Sequence, residues 1–138
     1  MIPEWSHGEA LKVMDEYIGI PYKNLGVSRD GVYCAGFVVL FYRDHGLSVP
    51  DPATDNFKEG RESDFSRVWR PVQSPLYGDL VTMRGEQDPY QGHLGIYTPI
   101  GCLHALRNVG VVCQKWDARI RARVTGYYRY AGCPAIPQ

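Results

Sequence analysis

Three side chains combine the types and spacing that acyl transfer needs: Cys34, His93 and His104. Cys34 follows a stretch broken by Gly19, Pro21, Gly26 and Gly31 and opens the run Cys34-Ala35-Gly36-Phe37-Val38-Val39-Leu40-Phe41-Tyr42. A run of about 12 residues, closed by Arg43-Asp44-His45-Gly46, predicts a buried helix rather than a strand. That puts the thiol in a first helical turn, where unpaired amides and the positive end of the dipole favour the thiolate. The bland alternative is an inert core cysteine, among the most often buried residue types. His93 stands after Gly92 and before the alternation Leu94-Gly95-Ile96-Tyr97, at the mouth of a predicted strand, where an imidazole can take a proton from a thiol. His104 lies in Cys102-Leu103-His104-Ala105. If residues 93–98 and 102–107 form a hairpin, both imidazoles share one face and the second can orient the first. Either histidine alone also reads as an ordinary, partly buried imidazole. Cys102, His104 and Cys113, with His93 nearby, sketch a weaker zinc pattern that lacks paired Cys-x-x-Cys spacing.

The elements that must hold these residues follow from periodicity. Ser6 and Glu9 have capping-box spacing, and Ala10, Leu11, Met14, Tyr17 and Ile18 follow at helical intervals until Gly19, which predicts a helix over 7–18. Residues 47–76 are rich in turn signals, with a short helix at 53–60 or 62–69. From Gly78 the period shortens, predicting strands over 79–83, 93–98, 102–107, 111–116 and 123–130, separated by turns such as Pro99-Ile100-Gly101 and Asn108-Val109-Gly110. Helices first and sheet second make an α+β arrangement, with N-terminal helices packed on an antiparallel sheet of about five strands.

Composition bounds the function. The chain has 138 residues, 44% hydrophobic, 22% charged and 12% aromatic, which fits one folded domain over 1–138 and excludes a disordered or fibrous protein. The expectation is no signal peptide and no membrane-spanning segment, because Phe37–Tyr42 is the longest apolar run and a membrane helix needs about 20 residues. Net charge is zero, yet residues 1–90 carry 14 acidic and 9 basic side chains and residues 91–138 carry one and six. The basic strip of Lys115, Arg119, Arg121, Arg123 and Arg129 suits an acidic partner or an anionic polymer, or is simply a solvated face. No nucleic-acid motif accompanies it, so nucleic acid is not an expected partner. The four cysteines are too few and too uneven for a disulfide scaffold.

Five ordered pieces carry a resemblance: Gly19-Ile20-Pro21-Tyr22, then Gly31-Val32-Tyr33-Cys34-Ala35-Gly36-Phe37-Val38, then Gly78-Asp79-Leu80-Val81, then Gly92-His93-Leu94-Gly95-Ile96-Tyr97, then Leu103-His104-Ala105. In this order and with these gaps they resemble the NlpC-type cysteine peptidases, papain-like bacterial cell-wall endopeptidases. The resemblance implies a papain-like α+β domain with Cys34 as nucleophile, His93 as base, His104 as the third polar residue and Tyr22 near the site as a candidate oxyanion donor. It implies hydrolysis of peptidoglycan stem peptides, typically between D-glutamate and a diamino acid, with no metal or organic cofactor. Residues 84–92 would form a rim beside the base. The ending, 110–129, is similar to versions encoded with phage tails and gene transfer agents, which implies tail or other assembly proteins as partners and a virion-tail location acting on the cell wall. Two positions depart from the family: Tyr33 stands where aspartate is usual and Ala35 where serine is usual. A non-catalytic scaffold, and a Cys-His enzyme for another acyl substrate, are the competing expectations.

Overall fold

The computed structural model of the chain describes residues 7–50, 68–85 and 92–131. The first helix, α1, spans His7–Tyr17 as predicted, while Ser6 of the expected capping box lies outside the described residues. A two-stranded antiparallel ribbon, β1 (Val27–Ser28) and β2 (Gly31–Val32), leads into α2 (Cys34–Asp44). α2 is helical despite the β-branched pair Val38-Val39 because burial decides: Phe37, Val38, Leu40, Phe41 and Tyr42 are all inside. Its end is a Schellman turn, in which Gly46 at φ 79° lets the amides of Leu47 and Gly46 reach the carbonyls of Tyr42 and Arg43, each at 2.9 Å.

A six-stranded antiparallel sheet follows, made of β3 (Trp69–Val72), β4 (Leu80–Arg84), β5 (Gly92–Thr98), β6 (Gly101–Leu106), β7 (Gly110–Lys115) and β8 (Val124–Tyr130), in the order β3-β8-β4-β5-β6-β7. The expected count of about five missed β3. Its sequence, Trp-Arg-Pro-Val, holds a proline that cannot donate to a ladder, and it is tolerated because β3 lies at the sheet edge with β8 as its neighbour. Trp69 anchors that strand by packing its ring edge-on against Tyr42 and Tyr130. Of the expected helix over 62–69, Val68 is helical and Trp69 is already strand, while 53–60 and 62–67 lie outside the described residues. A short helix, α3 (Ala118–Arg123), also escaped the pattern and delays β8 to Val124. Asp117 was its signal: the carboxylate accepts from the Ile120 amide at 2.9 Å as an N-cap.

Alternation divides the sheet into two faces. Leu80, Ile96, Leu103, Ala105 and Val111 pack with Phe37, Phe41 and Tyr17 under α1 and α2. Val81, Met83 and Cys102 pack on the other side around Ile120 of α3, with Tyr97, Trp116 and Tyr127 at the margin. α1, the ribbon and α2 are joined by Asp44, which accepts from the Tyr17 hydroxyl and from Arg29, both at 2.8 Å, while the guanidinium lies over the Tyr17 ring. The Gly78-Asp79 pair pins the start of β4. The Tyr42 hydroxyl donates to the Gly78 carbonyl, and buried Asp79 accepts from the Leu76 amide and from Arg129 through both of its oxygens.

Replacing Asp79 by alanine removes the acceptor for an amide and breaks a pair whose acidic member is only 6% exposed. Because Arg129 remains hydrated, the expected loss is about 2 kcal/mol. It is measured as a lower urea midpoint at unchanged slope, and an unaltered midpoint contradicts a stabilising role for the pair.

Candidate active site

The N-terminus of α2 is shaped by a close approach. An atom in the Cβ position at Gly36 would lie 1.9 Å from the Gly26 carbonyl oxygen, so only glycine lets the ribbon sit against the first turn. That same carbonyl accepts from the Tyr33 amide at 3.2 Å. Tyr33 is the N-cap in an extended conformation; its side chain makes no cap hydrogen bond, and the first turn holds no acidic residue. The departure from the usual aspartate therefore leaves the first-turn amides with no cap side chain competing for them. Cys34 is partly buried. Burial pushes its thiol above the usual range, and the backbone amides of Leu94, Ala35 and Cys34 pull it back. The sulfur thus sits between its own helix start and the amide of the residue that follows His93.

His93 and His104 meet as the hairpin predicted. Nε2 of His93 lies 2.8 Å from Nδ1 of His104, with the rings inclined at 66°. Leu94, Leu103 and Ala105, which alternate with the two histidines along β5 and β6, pack toward the helical core. Gly95 keeps them in reach: a Cβ there would come within 2.6 Å of Cys102 Sγ and 3.2 Å of His104 Cβ. His104 is fully buried, and its Nε2 lies 2.9 Å from Oε1 of Gln114 on β7. Gln114 pairs in register with Cys102, so it stands diagonal to His104, a separation long side chains span. Gln114 was missed by the sequence reading; the visible signal is one amide side chain following Val111-Val112-Cys113 on the strand. Burial, then the neighbouring His104 and Arg123, lowers His93 to about 3. At neutral pH the thiol and this imidazole are both uncharged.

Tyr22 is half-buried and bridges to Val32, two residues before Cys34, with the Arg107 guanidinium 5.8 Å above its ring. The structure therefore sets Tyr22 beside the entry to α2. The zinc pattern is corrected by register. Val112, not Cys113, lies opposite His104, and Cys113 pairs with Leu103 toward the helical core. Among the described residues no three His, Cys, Asp or Glu side chains converge on a metal position. The basic strip is also partly committed within the chain: Arg129 holds Asp79, Arg123 donates to the Arg84 carbonyl, and Arg121 lies over Trp116, while Lys115 and Arg119 are exposed. Of the rim at 84–92, residues 86–91 lie outside the described residues. No helix among the described residues is long and apolar enough to cross a membrane.

Residues 19–129 match the NlpC/P60 family. The chain is 31% identical over 106 residues to the probable endopeptidase NlpC of Escherichia coli (strain K12), an alignment covering 75% of this chain and 64% of that protein. It is 29% identical over 82 residues to the gamma-D-glutamyl-L-lysine dipeptidyl-peptidase of Bacillus subtilis (strain 168), covering 59% of this chain and 25% of the relative. The chain thus spans between a quarter and just under two thirds of the length of these curated relatives. Its fold is shared with an NlpC/P60 family protein from Bacillus cereus ATCC 10987 at a TM-score of 0.67 and 22% identity, over 94% of this chain and 41% of that one. It is also shared with the NlpC/p60 domain of the peptidoglycan hydrolase SagA at a TM-score of 0.60 and 20% identity, over 91% of this chain and 99% of that domain.

The depressed His93 has a consequence for stability that needs no substrate. The unfolded chain takes up a proton on this ring near pH ~6.5, whereas the folded chain resists it down to about 3, so stability present above pH ~6.5 is lost as pH falls across that window. Thermal unfolding of wild type and His93→Gln as a function of pH checks this. The wild type is expected to lose more stability than the variant on acidification, and parallel curves would contradict the assignment.

Proposed function

The chain belongs to the NlpC/P60 family, and from that membership we propose that it is a cysteine endopeptidase hydrolysing amide bonds in peptidoglycan stem peptides. The observation that carries the reading is the placement of the Cys34 thiol at the start of α2, against the amide next to His93, with His93 held by His104. The names of relatives support the reading: one is named a probable endopeptidase and another a gamma-D-glutamyl-L-lysine dipeptidyl-peptidase. The bond proposed is accordingly the one between D-glutamate and the diamino acid. The proposed setting, a phage tail or similar assembly that meets the wall, is supported by the resemblance of residues 110–129 alone.

The chemistry follows from two neutral partners. As the sulfur attacks the scissile carbonyl carbon, the thiol proton passes to Nδ1 of His93, the ring nitrogen not engaged with His104. Deprotonation accompanies attack because burial disfavours a standing thiolate. The tetrahedral oxyanion meets the Cys34 amide at the helix start, with the Tyr22 hydroxyl as second donor. His93 then gives its proton to the departing amine, and the C–N bond breaks to leave a thioester. Water loses a proton to the same nitrogen as it attacks, the C–S bond breaks, and the sulfur recovers the proton. Throughout, the Nε2–H of His93 stays on His104, which holds the ring's orientation and stabilises its cationic state.

Incubation of purified peptidoglycan with the protein under reducing conditions, followed by mass spectrometry, tests the reading. New stem-peptide fragments are expected from wild type, with the rate falling at least about a hundredfold in Cys34→Ala and in His93→Ala. Intact substrate from several wall types that a control hydrolase cuts would overturn the lytic role. Fragments that persist in Cys34→Ala would overturn the assignment of the nucleophile.

A further inference from the structure

An imidazole acts as a base only at the nitrogen that carries no proton, so a Cys-His site works only if something decides which nitrogen that is. In this chain three side chains on three adjacent strands form one row: His93 on β5, His104 on β6 and Gln114 on β7, with consecutive separations of 2.8 Å and 2.9 Å. In a row of neutral groups every hydrogen bond has one donor and one acceptor, so the direction of one bond sets the direction of the next. With the carbonyl oxygen of Gln114 against Nε2 of His104, the proton of His104 is on Nε2 and its Nδ1 accepts. Nε2 of His93 must then donate, and Nδ1 of His93 is left with its lone pair. Were Gln114 turned to present its amide nitrogen, the whole row would reverse and Nδ1 of His93 would carry the proton, leaving no base for the thiol.

Resting on the function proposed above, we propose that Gln114 is a positioning residue: by accepting from His104 it fixes the tautomers of both histidines and keeps Nδ1 of His93 as the base. The burial of His104 makes the device effective, because no bulk water competes for either of its nitrogens. The register makes it specific, since glutamine at 114, opposite Cys102, spans the diagonal to His104. The titratable or charged groups set around His93 are His104 from β6, Arg123 from the end of α3, and the Cys34 thiol beside the next amide; Met83, its partner on β4, carries none.

Nitrogen-15 NMR of the imidazoles in the full chain reads the tautomers directly and needs no turnover. In wild type, a protonated Nε2 on both rings and a bare Nδ1 on His93 are expected; a protonated Nδ1 on His93 overturns the proposal. Gln114→Met keeps the length but neither donates nor accepts in this way, so mixed tautomers are expected, with kcat down about tenfold and KM little changed. Unchanged tautomers in that variant overturn it. Gln114→Glu can only accept when ionised, so it keeps the productive tautomers. Its negative charge favours the protonated histidine pair, which moves the acid limb of kcat/KM to higher pH; an unmoved limb, or reversed tautomers, counts against the role. If Gln114→Met does not fold, the wild-type and Gln114→Glu spectra still decide. If wild type cuts no peptidoglycan, the lytic reading falls and the spectra judge the tautomer assignment by themselves.

Discussion

Everything at this site depends on how closely the first turn of α2 can approach the backbone around it. Gly36 presses against the Gly26 carbonyl at a distance that excludes any side chain, and the ribbon that Gly26 leads into is fixed in turn by Arg29 and Asp44. Dense packing of Phe37, Phe41 and Tyr17 prevents the helix from backing away. A thiol on a less constrained helix end would wander by more than hydrogen-bond tolerances allow, and the amide of Leu94 would lose its partner. The sheet supplies the matching constraint at Gly95, where absence of a side chain lets His93 and His104 share one face.

Electrostatics then bear on the charge states of Cys34 and His93. Burial disfavours charge on either partner, so the thiol is lifted and His93 lowered, and the resting site stores no ion pair. What it stores is orientation: a row of hydrogen bonds across β5, β6 and β7, with its far end on an uncharged amide rather than a carboxylate. A neutral terminus orients the two imidazoles without adding a fixed negative charge to the interior, which would need its own compensation.

The two departures at positions 33 and 35 sit on the helix terminus and leave the chemical groups in place. Tyr33 continues the extended approach to the helix but provides no side-chain cap, so the amides of the first turn remain oriented toward the sulfur. The arginines of the last third show the opposite lesson about reading charge from a list. Arg129 is the clamp on Asp79 and Arg123 holds a carbonyl of β4, which makes them parts of the scaffold before they are parts of a surface.

The sequence by itself determined the α+β order, both long helices, the main strands and the short motifs that carry Cys34, His93 and His104, because each rests on local information: a period, a cap, a turn, or a short motif. It did not determine β3, where a proline argued against a strand until the sheet edge made it harmless, nor α3, whose six residues are too few to show a period. The tertiary structure alone decided the register of β6 against β7. That register sends Cys113 to the helical core, dissolving the zinc pattern, and brings Gln114 to His104. A one-residue slip would have exchanged those two outcomes, since neighbouring residues on a strand face opposite sides, and no local feature of the chain specifies which of them pairs across the sheet.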